Sequence, residues 1–375
     1  MTDKELREIK RRFTNEKSNI SSIQVCFVNE KREIITQFSQ SLASLEADET
    51  NRLLQTLKKA LSGAMGTNLH DIEFKTSQVV DSPEHKLLMA LKKSELKDEG
   101  AIKEFFEKVA ANVSLDSGYV ALLANDKYDV FDFRSDGTKS EDSSAVYSYL
   151  ICAICPIKLT KPALTFRALE NEFGHISAAS VVGTPQLGFL FPAFDNRTEN
   201  IYNALYYTRD ITNNNTDFAN ALFNTELPMP AAMQKETFGQ CLRETIAEEC
   251  DFEMVKSVHA QISDMIEEHK ISKEEEPLTI SKDKLERILE YSGVEKEKIE
   301  NFSKKYDNEF GEGSEIPPQN IVNTKQFQLE TPDVFIKVNP ERRDLISTQT
   351  IGGTKYILIR ATEGVEVNGV NINIK

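Results

Sequence analysis

The chain has 375 residues, enough for two or three domains, and its 39% hydrophobic and 28% charged residues are typical of a globular protein. Its longest apolar run, near residues 150–157, is far shorter than the roughly 20 residues of a membrane-spanning helix, and the N-terminus lacks the apolar segment of a signal peptide. Five cysteines, an odd number, are typical of reduced intracellular thiols. We therefore expect a cytoplasmic protein with no membrane segment and a formal net charge of −15.

The first predicted elements are a helix and a hairpin. Thr2 and Glu5 have the spacing of a capping box, which predicts a helix through about Arg12. Four basic residues lie at its end and just beyond it: Lys10, Arg11, Arg12 and Lys17. Cations are favourable near a helix C-terminus, so helix stability accounts for them. Residues 23–28 and 33–38 alternate in polarity and predict a β-hairpin, and Ser82-Pro83 predicts the start of a further helix.

The most apolar part of the chain, residues 146–208, predicts a buried β core. Three short apolar runs lie within it, at residues 147–157, 181–194 and 201–207. They are rich in aromatic and β-branched residues and are interrupted by Gly and Pro, which is typical of buried strands rather than long helices.

Cys152-Ala-Ile-Cys155 in the first of these runs has the spacing of a redox pair or of half a zinc site. In a strand, however, an odd separation places the two side chains on opposite faces. No second pair of this spacing exists, and no neighbouring cation would lower a thiol pKa. We therefore expect both residues to be structural cysteines.

Residues 244–312 are strongly acidic, with 20 acidic and 10 basic residues, and supply −10 of the net charge of −15. A surface of this sign repels phosphate backbones, which disfavours direct nucleic-acid binding. A helix predicted at residues 251–270 carries side chains at spacings of three and four that favour packing against another helix: Val255, Val258, Ile262, Met265 and His269. We expect a protein partner or self-association through this helix.

The last part of the chain predicts a small β domain. Gly352-Gly353 and Asn368-Gly369 are typical of two-residue hairpin turns, because these residues accept positive φ angles. The complete pattern predicts an α+β protein. Its expected parts are a mixed α+β domain with central core strands at residues 1–230, an acidic helical segment at 231–312, and an antiparallel β domain at 313–375.

Two places in the central region are candidates for a functional site. Polar residues follow directly after a buried strand, where binding sites are often found: Asp195, Asn196, Arg197 and Glu199. A hairpin turn stabilised by its own Asp and Asn side chains explains the same residues. His175 is the one histidine beside the core runs, and as a general base it would need a partner, with Glu172 nearby in the sequence.

A metal site is a weaker alternative. Asp126 and Asp129 belong to an acidic series around a predicted strand, but their spacing fits no calcium-binding loop, and a strand would point them to opposite sides. We expect them to be solvated residues at the ends of loops, and we expect neither a metal nor a cofactor.

Several short stretches together resemble one protein family. They include Ile9-Lys-Arg-Arg-Phe13, His85-Lys-Leu-Leu-Met-Ala-Leu91, Leu187-Gly-Phe-Leu-Phe-Pro-Ala-Phe194, Gln234-Lys-Glu-Thr-Phe238 and Val338-Asn-Pro-Glu-Arg342. Through them nearly the whole chain resembles domain-of-unknown-function family 4317 of Gram-positive bacteria. The resemblance implies a cytoplasmic bacterial protein and carries no known activity, so no catalytic residue can be transferred. The order of elements alone is similar to that of nucleoid-associated proteins of the NdpA type, which are also acidic.

Two functional hypotheses follow. The first is a non-enzymatic binding or scaffold protein, with the NdpA likeness keeping a nucleoid-associated role open. The second is a hydrolase-like enzyme with a site near His175 and Asp195, whose metal-dependent version would recruit Asp126 or Asp129. Side chains that converge in one pocket would favour the enzyme, and scattered, solvated side chains would favour the binding protein.

Overall fold

The computed structural model describes residues 1–133, 139–246, 251–272, 274, 276–361 and 364–373, with the backbone alone at 132–133, 139–144 and 167. The chain forms two compact units. The first comprises Met1–Pro230 with Glu275–Pro277, and the second Ala231–Glu274 with Leu278–Lys375. Helix and strand are both abundant, which confirms the predicted α+β class. The division into three domains stays a prediction.

Six helices lie in the described part of the first unit: α1 (Asp3–Lys10), α2 (Ala47–Lys59), α3 (Thr76–Asp81), α4 (Pro83–Lys93), α5 (Glu99–Asn112) and α6 (Thr216–Phe223). The capping box of α1 is confirmed, because Thr2 N donates to Glu5 Oε2 at 2.8 Å and Glu5 N donates to Thr2 Oγ1 at 3.3 Å. Ser82 caps α4, and Pro83 occupies its first turn, also as predicted.

The strands of the first unit are β1 (Ser22–Val28), β2 (Ile34–Ser41), β3 (Leu69–Glu73), β4 (Tyr119–Phe133), β5 (Lys139–Leu159), β6 (Ala163–Arg167), β7 (Glu172–Ile176), β8 (Ser180–Val182), β9 (Leu187–Phe191), β10 (Ala193–Asp195), β11 (Thr198–Asn200) and β12 (Asn203–Thr208). Eight of them form one antiparallel sheet in the order β2-β1-β4-β5-β9-β12-β3, with β8 paired to the end of β5. β1 and β2 form the predicted N-terminal hairpin.

Helices cover both faces of this sheet. Apolar side chains of α4, α5 and α6 form a core with one face, and those of α1 and α2 form a core with the other. Residues 149–155 of β5 and all five residues of β9 are therefore buried, which confirms the predicted core. Gly188 allows close packing there, because a Cβ atom on it would lie 2.4 Å from the carbonyl oxygen of Cys152.

The structural assignment of the two cysteines in β5 is confirmed. Cys152 packs in one core and Cys155 in the other, and both are free thiols. Burial raises the pKa of Cys155 to about 12, so this thiol stays protonated and unreactive.

The second unit is helical at first and then consists of small hairpins. Its helices are α7 (Ala231–Ile246), α8 (Phe252–Ser272), α9 (Lys282–Tyr291), α10 (Lys296–Phe310) and α11 (Pro318–Ile321). Its strands are β13 (Ile280–Ser281), β14 (Glu315–Ile316), β15 (Phe327–Glu330), β16 (Phe335–Val338), β17 (Ile346–Ile351), β18 (Thr354–Ile359), β19 (Val365–Val367) and β20 (Val370–Ile372). The helices share one apolar core with Ile316, Ile321 and Val322.

Both predicted turns of the C-terminal region are confirmed. Gly352 and Gly353 join β17 to β18, Asn368 and Gly369 join β19 to β20, and all four residues have positive φ angles. Among the described helices of the chain, none is long and apolar enough to cross a membrane.

Candidate functional site

The polar residues predicted after the buried strand form a tight turn between β10 and β11. Asp195 pairs with Thr198, and the two residues between them, Asn196 and Arg197, have φ angles of 47° and 57°. Asn200 Nδ2 donates to Asp195 Oδ2 at 3.1 Å and holds the turn together. A hairpin turn stabilised by its own side chains therefore explains Asp195 and Asn196. The side chain of Arg197 instead contacts α1 and β4.

Arg197 is held in place by contacts that include three hydrogen bonds. Its Nη1 donates to Glu8 Oε2 at 2.8 Å and its Nη2 to the carbonyl oxygen of Phe131 at 2.8 Å. Its backbone N–H donates to Glu5 Oε1 at 3.2 Å. The guanidinium group is therefore fixed between α1 and β4 before any ligand arrives.

A second arginine, Arg12, is fixed beside it. Its guanidinium carbon lies 4.8 Å from the ring centroid of Tyr128, and its Nη2 donates to the carbonyl oxygen of Lys127 at 3.1 Å. The Tyr128 hydroxyl donates to Glu8 Oε1 at 2.6 Å, so Glu8 supports both arginines, Arg197 directly and Arg12 through Tyr128. Arg12 Nε is buried and has no hydrogen-bond partner among the described residues.

The carboxylate behind Arg12 belongs to Asp126, whose prediction as a solvated residue was wrong. Its side chain is 1% exposed and accepts hydrogen bonds from Asn19 N at 2.8 Å, Lys127 N at 2.9 Å and the Tyr149 hydroxyl at 2.8 Å. Burial raises the pKa of Asp126, and Arg12, 3.4 Å away, opposes that shift. The sequence pattern missed this role because Asn19, Tyr149 and Arg12, which surround the carboxylate together with Lys127 N, come from distant parts of the chain.

These contacts surround a cavity of about 540 Å³, called here the cationic pocket, lined by Lys4, Arg7, Glu8, Arg11, Arg12, Lys17, Tyr128, Asp129, Phe131 and Arg197. Six of the ten residues are cations and two are carboxylates, a local excess of four positive charges in a chain of net charge −15. Arg7, Arg11 and Lys17 are exposed, and their side chains make no hydrogen bond or ion pair to a described residue. The pocket therefore presents unneutralised positive charge.

Three of the four basic residues assigned from sequence to the end of the first helix line this pocket. Arg11, Arg12 and Lys17 do so, whereas Lys10 does not. Helix stability alone was therefore an incomplete explanation. The signal that could have revealed the site was the density of basic residues near the start of an acidic chain.

The other candidate residues lie elsewhere. Glu199 forms an ion pair with Lys92, whose side chain is 10% exposed, and neither residue lines the cationic pocket. Glu172 and His175 lie on the exposed strand β7, where the side chain of His175 makes no hydrogen bond or ion pair to any residue that the structure describes. The structure thus brings Arg197 and Asp129 into one pocket and leaves His175 apart from it.

A metal centre has no support in the part of the chain that the structure describes. No group of three or more His, Cys, Asp or Glu residues there is placed to hold an ion. Asp129 lines the cationic pocket, and Asp126 is already surrounded by donors.

The helix expected to mediate association is α8. Val258 and Ile262 are 4% and 0% exposed and pack in the core of their own unit, whereas Val255 is 40% exposed. Any surface that α8 offers to another molecule must therefore lie away from Ile262. Association through this helix stays a prediction.

Comparisons with known proteins place the chain in a family without a described activity. No curated protein matches it. One family model, described as a domain of unknown function, matches residues 1–370, almost the whole length of the chain. The chain therefore belongs to family DUF4317.

Proposed function

We propose that this chain is a non-enzymatic binding protein whose ligand carries phosphate groups and occupies the cationic pocket. The observation that carries the proposal is the pair of anchored arginines, Arg12 and Arg197, beside three cations, Arg7, Arg11 and Lys17, whose side chains have no partner among the described residues. Guanidinium groups donate paired hydrogen bonds in a geometry that matches phosphate and carboxylate oxygens. A doubly or triply charged anion would neutralise most of the excess positive charge in the pocket.

Size and rigidity support a small anion. The cavity of about 540 Å³ lies within the range of about 300–1,000 Å³ that small-molecule sites occupy. Because Glu8, Phe131 and Lys127 already fix the two arginines, little side-chain entropy is lost when a ligand binds them. Each charge-assisted hydrogen bond to the ligand would then contribute about 1.5–3 kcal/mol.

The enzyme hypothesis has less support. It needs His175 close to Asp195 and Glu199, but His175 lies on an exposed hairpin, and Glu199 is paired with Lys92. A metal-dependent version needs an open Asp126, whereas this carboxylate is buried and accepts several hydrogen bonds. Neither arrangement offers a positioned base with a nucleophile.

Phosphate groups reach such a pocket from two sources, a small phosphorylated molecule or a nucleic-acid backbone. The nucleoid-associated role belongs to the second source. The concave shape favours the first, as does the repulsion expected from the acidic residues 244–312. A scaffold role through the acidic helices is a separate proposal that the pocket does not support.

Calorimetric titration of the whole chain tests the proposal with two probes, pyrophosphate and a DNA duplex of 20 base pairs. We expect pyrophosphate to bind and Arg11→Glu to weaken its affinity at least tenfold, about 1.4 kcal/mol, because an exposed cation becomes a carboxylate. Lys103→Glu makes the same charge change at an exposed position of α5 and should alter the affinity less than twofold.

The two probes separate the sources. Duplex binding that Arg11→Glu abolishes would assign the pocket to nucleic acid, whereas pyrophosphate binding alone would assign it to a small molecule. Binding of neither probe, or equal losses in Arg11→Glu and Lys103→Glu, would overturn the proposal.

A further inference from the structure

A β-ribbon, called here the arm, extends from the central sheet of the first unit between Ile157 and Val182. At its base β5 pairs with β8, Ile157 opposite Val182, and farther out β6 pairs with β7. Thr160 and Ala179 join the two parts, because the N–H of each donates to an oxygen of the other, at 2.9 and 3.0 Å. β6 and β7 pair with no other described strand.

The arm has one apolar face. In an antiparallel pair, residues directly opposite each other project to the same side. Leu164 lies opposite His175, and Phe166 lies opposite Phe173 with ring centroids 5.4 Å apart. The exposed fractions of Leu164, Phe166 and Phe173 are 76%, 56% and 73%. Water therefore covers a face of the kind that normally packs in a core.

The tip and the base of the arm have opposite net charges. Leu169 at the tip is fully exposed. In the sequence, residues 157–161 at the base have a net charge of +2, and residues 167–172 at the tip have a net charge of −1.

We propose that the arm joins two copies of this chain, with the apolar faces packed against each other in antiparallel orientation, so that each tip lies beside the partner's base. Leu164 lies five residues after Leu159 at the base and five residues before Leu169 at the tip. A two-fold axis at Leu164 therefore exchanges tip and base, so that the contact between the tip of one copy and the base of the other forms twice. The opposite charges then meet and fix the orientation.

The size of the face fits a second copy. Aromatic side chains bury about 150–250 Å² each, and monomeric proteins rarely leave a contiguous apolar patch larger than a few hundred Å² in water. Leu164, Phe166 and Phe173 on each copy provide area of that order, and the contact between tip and base adds to it. This inference does not depend on the cationic pocket.

The mass of the whole chain in solution, measured by light scattering after size-exclusion chromatography, tests the proposal. We expect twice the chain mass of 42.4 kDa for the natural chain. Phe166→Asp should raise the dimer dissociation constant at least about 100-fold and give the monomer mass, because a charge enters the centre of the contact. The control Val80→Asp, also at an exposed apolar side chain, 71% exposed on α3, should leave the dimer unchanged.

A crosslinking experiment tests the orientation. Thr160 and Ala168 lie four residues before and four residues after Leu164, on the side of the ribbon that carries the apolar face. Within one copy they are about 26 Å apart, too far for a disulfide within the chain. The double variant Thr160→Cys with Ala168→Cys should therefore form covalent dimers on oxidation, whereas either single variant should not.

Two results would overturn the proposal. One is a natural chain that stays monomeric at high micromolar concentration. Binding of the arm to lipid vesicles by such a monomer would mean that the apolar face serves a membrane surface instead of a second copy. The other is covalent dimerisation of Ala168→Cys alone, which would mean that tip meets tip.

Discussion

Strand β5 passes through two different environments, and the contrast explains how this chain distributes its apolar residues. From Tyr149 to Cys155 every side chain of the strand is buried, because helices cover both faces of the sheet. A few residues later Leu159 is 75% exposed, and the ribbon that follows has no covering helix among the described elements. The same strand thus serves as a core element and then as the base of the arm.

The contrast shows that an apolar residue in this chain contributes to folding only where another layer covers it. Phe189 in β9 contacts Phe105 and Phe223, with ring centroids 6.0 and 5.6 Å apart. Phe173 in the arm contacts one other ring, that of Phe166. Residues of one type therefore have different surroundings: Phe189 packs in the core of the sheet, and Phe173 belongs to the surface for which association is proposed.

The largest expected effect comes from truncating one phenylalanine in each region. Phe189→Ala should lower the free energy of unfolding by about 3–5 kcal/mol, because it opens a cavity in a fully buried core. Phe173→Ala should change the stability of the monomer by less than about 0.5 kcal/mol. Urea denaturation at low protein concentration measures both, and equal losses would abolish the distinction between sheet and arm.

The pH dependence of the free energy of unfolding tests the burial of a polar residue in the covered sheet. His70 in β3 is 2% exposed, and neither ring nitrogen has a hydrogen-bond partner among the described residues. Burial lowers the pKa of His70 to about 4, below its ordinary value of 6.5. The neutral form is therefore favoured on folding, and its contribution to stability is complete above pH 6.5 and is lost as the pH falls towards 4.

The natural chain should accordingly lose about 2–3 kcal/mol more than His70→Leu between pH 7 and pH 4.5, at about 1.36 kcal/mol per pKa unit. Urea denaturation of the two proteins at both pH values measures the difference. Parallel losses in the two proteins would show that His70 is solvated or hydrogen-bonded in solution.

A smaller effect is expected at the support of the cationic pocket. Glu8→Gln removes the charge that holds Arg197 and Tyr128, and should lower the free energy of unfolding by about 1 kcal/mol. Glu104→Gln, at an exposed position of α5, is the matched control and should change stability by less than about 0.5 kcal/mol. An unchanged stability of Glu8→Gln would mean that the arginines are held by other contacts.

The features predictable from sequence depend on neighbours along the chain. The capping box of Thr2 and Glu5, the Asn368-Gly369 turn and the opposite faces of Cys152 and Cys155 follow from local spacing and backbone preference. The long apolar runs likewise predicted the core, because strands covered on both faces lack polar alternation.

The features that sequence reasoning missed depend on distant residues. Arg12 meets Asp126 across 114 positions of the chain, and Arg197 meets Glu8 across 189, so no local pattern could bring the pocket together. The strands of the arm were missed because Gly174 and polar neighbours interrupt its apolar residues. His175 was named as a candidate because it lies beside the core runs in the sequence, but in the structure it lies opposite Leu164 on the arm.

The measurement that tests the central claim most directly is a crystal structure of the whole chain with pyrophosphate. The proposed function predicts phosphate oxygens about 2.7–2.9 Å from guanidinium nitrogens of Arg12 and Arg197, inside the cavity that Arg7, Arg11 and Lys17 border. Pyrophosphate bound at another place, or an empty pocket at concentrations that saturate binding in solution, would contradict it.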